Sequence, residues 1–286
     1  MGYVALAMAS AVLYGVWGFA IGIYRERVSP WITIVFFAAT AAVLYLALGL
    51  ASGELVIDSE DVGPALLGGT FNVIGIFLLL KAYEKGKVGI AAGITALDVL
   101  VPLAYAILQG EPFGAYVTTG VVLMMLGLGA FYLPRLRERG DPTAPGNSGL
   151  GVTIVLALGA ALAWGFTILI LDVGTRESVT GTLFVSEIPQ ILAPLVILLA
   201  TQRQAFRGLP SRALPVFLGS GIAIALANIA FYSAANIGNI GVASVIMSTN
   251  PMITALLALL FFKEHLLRSQ WAALAIVVVG ACLVVA

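Results

Sequence analysis

The sequence predicts an all-α polytopic membrane protein made of two related halves, and three observations carry that prediction. Of its 286 residues 61% are hydrophobic and only 10% are charged, with a mean hydropathy of +1.08. A soluble domain carries about 25% charged residues, so this chain cannot cover a water-facing surface. Second, its apolar residues gather into runs close to the roughly 20 residues that cross a bilayer as a helix. Third, residues 86–111, GKVGIAAGITALDVLVPLAYAILQGE, return as residues 238–264, GNIGVASVIMSTNPMITALLALLFFKE, at an offset of 152.

Ten runs are expected to span: 3–23, 30–50, 62–82, 88–108, 115–133, 150–171, 181–200, 213–234, 240–262 and 270–286. In lipid every backbone polar group needs an internal partner, and no run alternates as a strand would, so each reads as a helix. The first lacks a basic leader and exceeds a signal-peptide core, so it reads as a retained span. Residues 134–149, PRLRERGDPTAPGNSG, form the longest interruption and read as a linker between halves 1–133 and 150–286, five spans each. Trp17-Gly18-Phe19 in span one matches Trp164-Gly165-Phe166 in span six, 147 residues on. Gln109-Gly110-Glu111 after span four matches Phe262-Lys263-Glu264 after span nine, 153 residues on. Five is odd, so the second copy must sit upside down. That is the inverted-repeat plan of secondary transporters, whose sites lie near the midplane between repeats.

Thirteen of the 14 Lys and Arg residues fall in the loops after spans one, three, five, seven and nine; only Arg176 lies on the other side. Basic loops stay in the cytoplasm, which puts both termini outside.

The Trp-Gly pair opening each half, the G-x-x-G start of spans four and nine, and their Pro followed by a G-E or K-E exit resemble the drug/metabolite transporter superfamily, in its ten-helix EamA-type family. The resemblance covers the whole chain. It implies export or exchange of small metabolites in a prokaryotic-type inner membrane. It also implies a central cavity lined mainly by helices 1, 3, 4, 6, 8 and 9. Such proteins usually keep both termini inside, so the charge pattern here argues for the reverse orientation.

Asp98 is the sharpest single signal. A charge at the centre of a membrane helix costs roughly 2.5–3.5 kcal/mol on insertion scales. On helical spacing Thr95, Asp98, Pro102 and Tyr105 share one face. Asp98 therefore reads as a cavity carboxylate for a cationic group or a coupling proton, or else as a hydrogen-bonded brace between helices. The offset of 152 gives it Asn250 as a mate, next to Pro251. Proline has no N–H, which frees the Met247 carbonyl one turn back to face a ligand or another helix. Asn72 and Asn228 sit in spans three and eight as cavity donors or packing residues. Glu187 in span seven, the second carboxylate within a span, reads as a group at the cavity mouth that could join Asp98 in proton or ion coupling, as an interfacial ion pair, or as a mark of a shallow helix start. Trp17 and Trp164 lie well inside their spans, away from the interfacial belts where Trp gathers, and can wall a cavity or simply pack. Tyr105 and Tyr232 offer polar tips. Gly86, Gly89, Gly238 and Gly241 with Pro102 and Pro251 give spans four and nine places to bend.

Other functions are excluded or narrowed by what is missing. The single cysteine and single histidine, Cys282 and His265, leave no metal cage or catalytic triad, and no cofactor or nucleic-acid partner is expected. No Walker motif is present, so ATP does not drive the protein directly. An antiporter of phosphorylated or nucleotide-linked metabolites would want Lys or Arg inside the spans, which hold them only at their ends. An intramembrane aspartyl hydrolase would need Glu187 to reach Asp98. The expected state is a monomer or weak homodimer, with glycine-rich spans five and ten on the periphery.

Overall fold

The computed structural model describes residues 2–23, 28–85, 94–110, 114–137, 150–202, 210, 212–262 and 268–285. Among these every regular element is helical: α1 (Gly2–Ile23), α2 (Pro30–Ser52), α3 (Ser59–Lys85), a 3-10 turn (Ala96–Val99) running into α4 (Leu100–Leu108), α5 (Ala115–Arg137), α6 (Leu150–Thr175), α7 (Val179–Thr201), α8 (Ala213–Ile237), α9 (Ile240–Met247), α10 (Asn250–Phe262) and α11 (Arg268–Val285). Six are long and apolar enough to cross a bilayer: α1, α2, α3, α6, α7 and α8. Shorter apolar helices stand where spans four, five, nine and ten were expected. Gly86 and Gly89 lie outside the described residues, as do Glu111, Glu264 and His265.

Local chemistry sets the helix ends. Pro30 opens α2, where its missing N–H is no loss, and Gly53 closes it at φ 72°, with its amide bonded to the Gly49 carbonyl. Ser178 caps α7 by accepting the Gly181 amide at 3.0 Å. The same hydroxyl donates to the Glu54 carbonyl at 2.6 Å, tying the strap after α2 to the head of α7. Asn239 caps α9 through the Val242 amide at 2.9 Å.

Span nine departs from expectation: it is two helices, not one. Thr249 and Met252 amides bond the carbonyls of Ile246 and Thr249, a 3-10 pattern between α9 and α10. Pro251 cannot supply the amide that a continuous α-helix needs there. The 3-10 turn at Ala96–Val99 begins 152 residues before Ser248, where α9 gives way (248 − 96 = 152). Helical regularity thus breaks at two places that lie 152 residues apart.

Helix contacts also come in matched pairs. α1 packs on α8 as α6 packs on α3; α3 on α7 as α8 on α2; α2 packs on α7, and α5 on α11. Glycines allow the close approaches. A Cβ on Gly69 of α3 would strike the Ser186 carbonyl of α7, and one on Gly221 of α8 would come within 2.7 Å of the Phe37 carbonyl of α2. Gly120 and Gly280 face one another, each Cβ position 2.6–2.7 Å from the other's carbonyl oxygen, so these small-residue faces of α5 and α11 are used within the chain. Gly238 lies under the Tyr3 ring and Gly241 lies 2.9 Å, measured from its Cβ position, from Ala106 of α4. α5 and α11 stand aside as a pair while the other helices surround a central space.

Candidate functional site

That space is a cavity of about 220 Å³. Its wall comes from α1 (Tyr14, Trp17), α3 (Asn72, Ile76), the 3-10 region (Thr95, Asp98), α6 (Trp164, Thr167), α8 (Asn228, Tyr232) and the α9–α10 break (Met247, Ser248, Asn250). It also comes from α2 (Phe37) and from α7 (Ser186, Glu187, Gln190). Eight of the ten expected spans contribute, two more than the resemblance implied. The glycine contacts of α3 and α8 explain this: they let α7 and α2 approach until their side chains complete the wall.

Of the residues singled out in the sequence, Trp17, Asn72, Thr95, Asp98, Trp164, Glu187, Asn228, Tyr232 and Asn250 all reach this cavity. Tyr105 does not; its hydroxyl accepts a hydrogen bond from Gln109 Nε2 at 2.9 Å. A 3-10 turn advances about 120° per residue instead of 100°, so four residues of it rotate the next helix by roughly 80°. The expected face from Thr95 to Tyr105 is broken by that turn.

The two carboxyls stand in different settings. Asp98 lines the cavity from the 3-10 turn, and its main chain is gripped by α6, since a Cβ on Gly165 would sit 2.8 Å from the Asp98 carbonyl oxygen. Glu187 is neither an interfacial ion pair nor the mark of a shallow helix start. It is 3% exposed, lines the cavity, and its Oε2 has no hydrogen-bond partner. Tyr14 lies within electrostatic range of both carboxyls.

Asn250 also corrects an expectation. The carbonyl freed by Pro251 does not face a ligand: Asn250 Nδ2 turns back and donates to Met247 O at 3.0 Å. Gly15 holds this segment as Gly165 holds Asp98, with its Cβ position 3.0 Å from the Asn250 carbonyl oxygen and against Ile253. By contacts, then, the counterpart of Gly165 is Gly15 and not Gly18, one turn from the Trp-Gly match seen in the sequence. Tyr14 therefore takes the place that Trp164 holds in the second half.

Among the described residues, two ties between side chains cross the cavity wall. Tyr14 donates its hydroxyl to Asn228 Oδ1, and Asn228 Nδ2 donates to the Tyr45 hydroxyl at 2.8 Å, joining α1, α8 and α2. Asn72 Nδ2 donates to Gln190 Oε1 at 2.7 Å, joining α3 to α7. Sequence reasoning missed Tyr14 and Gln190. Their signal was helical spacing, since each stands three residues from a residue already chosen, Trp17 and Glu187. Around these, Trp17 meets Tyr14 and Phe37 edge-on at centroid distances of 6.4 and 5.7 Å. A Cβ on Gly75 would lie 2.5 Å from Trp164 Nε1, so this glycine gives the indole its room. Among the described residues no three His, Cys, Asp or Glu side chains gather as a metal site.

A cavity lined by polar, aromatic and aliphatic groups inside an apolar helical shell is what a carrier of small solutes needs, and comparison with known families agrees. The model of the EamA-like transporter family matches residues 1–133 and 151–286. The chain belongs to that family. EamA-like proteins are membrane transporters rather than enzymes, so this one is placed among multi-pass membrane transporters of small molecules. Among curated proteins no sequence match was found. A solved crystal structure, described only as that of a protein, is similar over 98% of this chain and 95% of its own, with a TM-score of 0.77 at 16% identity. At that identity the likeness bears on the fold alone.

Proposed function

We propose that this EamA-like protein is a secondary transporter of small organic metabolites, an exporter or exchanger, that alternates access around the cavity with Asp98 carrying a coupling proton. The observation that carries this reading is the position of the cavity, at the level where both halves break their helices and bounded by residues of both. In this reading residues 1–133 and 150–286 are two five-helix repeats of opposite topology joined by the linker 134–149. The matched helix contacts and the breaks 152 residues apart support it. Rocking of one half on the other opens the cavity to each side in turn. The 3-10 segments next to Pro102 and Pro251 serve as hinges, since such stretches bend at little cost. Trp17, Asn72, Thr95, Trp164, Asn228, Tyr232 and Asn250 contact the solute. The distribution of Lys and Arg puts both termini outside a prokaryotic-type inner membrane.

The test uses the full chain, purified and screened for metabolites that raise its unfolding temperature, and then counterflow of the hits in liposomes with and without a pH gradient. Solute exchange that responds to the gradient is expected. The reading fails where no metabolite stabilises the protein and none is exchanged.

A further inference from the structure

Among the described residues, two that line the cavity carry a fully buried polar atom without a partner, and the two atoms are of opposite kinds. One is an acceptor, Oε2 of Glu187; the other is a donor, Nε1 of Trp17. Buried polar groups are normally satisfied, and in a membrane protein a carboxylate without a partner is especially unfavourable. The neighbouring amides and hydroxyls do not serve them: Asn228 is held by Tyr14 and Tyr45, Asn72 by Gln190, and Asn250 by Met247. The complement of these two atoms is therefore brought by the solute.

Charge narrows the solute further. No Lys, Arg or His lines the cavity among the described residues. A carboxylate or phosphate on the solute would have no cationic side chain to meet. The α9–α10 break is no substitute: the Ser248, Thr249 and Met252 amides are bonded within the chain and Pro251 has none. Six aromatic rings do line it, those of Tyr14, Trp17, Phe37, Trp164, Phe231 and Tyr232. Ring faces attract cations, most strongly where water is excluded.

We infer that the solute is an organic monocation, an amine without a carboxylate, whose ammonium is held by Glu187 and whose oxygen acceptor is held by Trp17 within an aromatic wall. This rests on the transporter reading above and names the cargo class of that cavity. Glu187 is its charge partner, a task separate from that given to Asp98.

Tyramine and three relatives test it by changing one group at a time. Phenethylamine lacks the oxygen, 4-ethylphenol lacks the ammonium, and tyrosine adds the carboxylate. Competition against tritiated tyramine on the full-length protein in micelles ranks the four. Tyramine is expected to bind best. 4-Ethylphenol and tyrosine should fall at least about tenfold below it, as the loss of a charge-assisted bond or an unpaired buried anion requires. Glu187→Gln should erase the advantage of tyramine over 4-ethylphenol. Trp17→Phe, which serves also if the first variant does not fold, should erase its advantage over phenethylamine and keep that over 4-ethylphenol. The inference is overturned if tyrosine binds as well as tyramine, if neither amine exceeds 4-ethylphenol, or if folded Glu187→Gln keeps wild-type preference. Counterflow of a carboxylate-bearing or neutral metabolite with no tyramine binding would remove this inference and leave transport standing. A protein that exchanges no metabolite at all would remove both.

Discussion

The segments around Asp98 and Asn250 start from the same plan and solve it with opposite chemistry. Each interrupts its helix with 3-10 hydrogen bonding, and each is gripped at its backbone carbonyl by a glycine, Gly165 for Asp98 and Gly15 for Asn250. The next residue along the chain decides the side chain. After Asp98 comes Val99, whose amide stays in the hydrogen bonding of the 3-10 turn. After Asn250 comes Pro251, which has no amide and leaves the Met247 carbonyl needing a donor. An ionised carboxylate has no proton to give; an asparagine amide does, and donates to Met247 O at 3.0 Å. So the acid in one half and the amide in the other reflect where the proline falls. One consequence is that Asn250 has its amide nitrogen tied to its own turn and only its oxygen left for a solute, while Asp98 remains open to the cavity.

The largest expected effect comes from removing the acid. Asp98→Asn should reduce exchange in liposomes to background, or sever it from the pH gradient, with an unfolding temperature near wild type. Unchanged rates and pH dependence would end the distinction drawn between the two segments. The reverse exchange, Asn250→Asp, should damage the fold. An orphaned Met247 carbonyl costs about 1–3 kcal/mol, read as a lower midpoint in denaturant. That loss should shrink as pH falls and the new carboxyl gains a proton to donate. It should also shrink in a Pro251→Ala background, where residue 251 recovers its amide; additive losses would contradict the role given to Asn250.

Smaller effects sharpen the same contrast. Gly165→Ala and Gly15→Ala each press a methyl on a backbone carbonyl and should lower stability by about 1–3 kcal/mol. Only the first displaces Asp98, so exchange per folded molecule should drop further in Gly165→Ala than in Gly15→Ala. Tyr105→Phe, outside the cavity, should shift stability by no more than about 0.5 kcal/mol and leave exchange as it was. Measuring both in one liposome series settles each case.

Much of the site was legible because intramembrane polar residues are rare against an apolar background. Asp98, Glu187, Asn72, Asn228 and Asn250 stood out by residue type, and all line the cavity. Tyr105 was misplaced because helical spacing was carried through a segment that changes pitch. The Met247 carbonyl was misassigned because a missing amide is visible in sequence while the side chain that replaces it is not. Trp17 and Trp164 were aligned by identity, whereas glycine contacts put Tyr14 opposite Trp164.

By itself the sequence determined the helical class, the apolar spans, the recurrence at an offset of 152 and the polar residues at mid-span. Composition and period are enough for these, since lipid leaves a backbone few ways to satisfy its hydrogen bonds. Only the tertiary structure decided which groups remain unpaired. Asn72, Asn228 and Asn250 find partners on neighbouring helices or on their own turn, while Glu187 Oε2 and Trp17 Nε1 do not. Whether a buried polar atom is satisfied depends on what another helix presents within about 3 Å of it, and no single stretch of sequence contains that information.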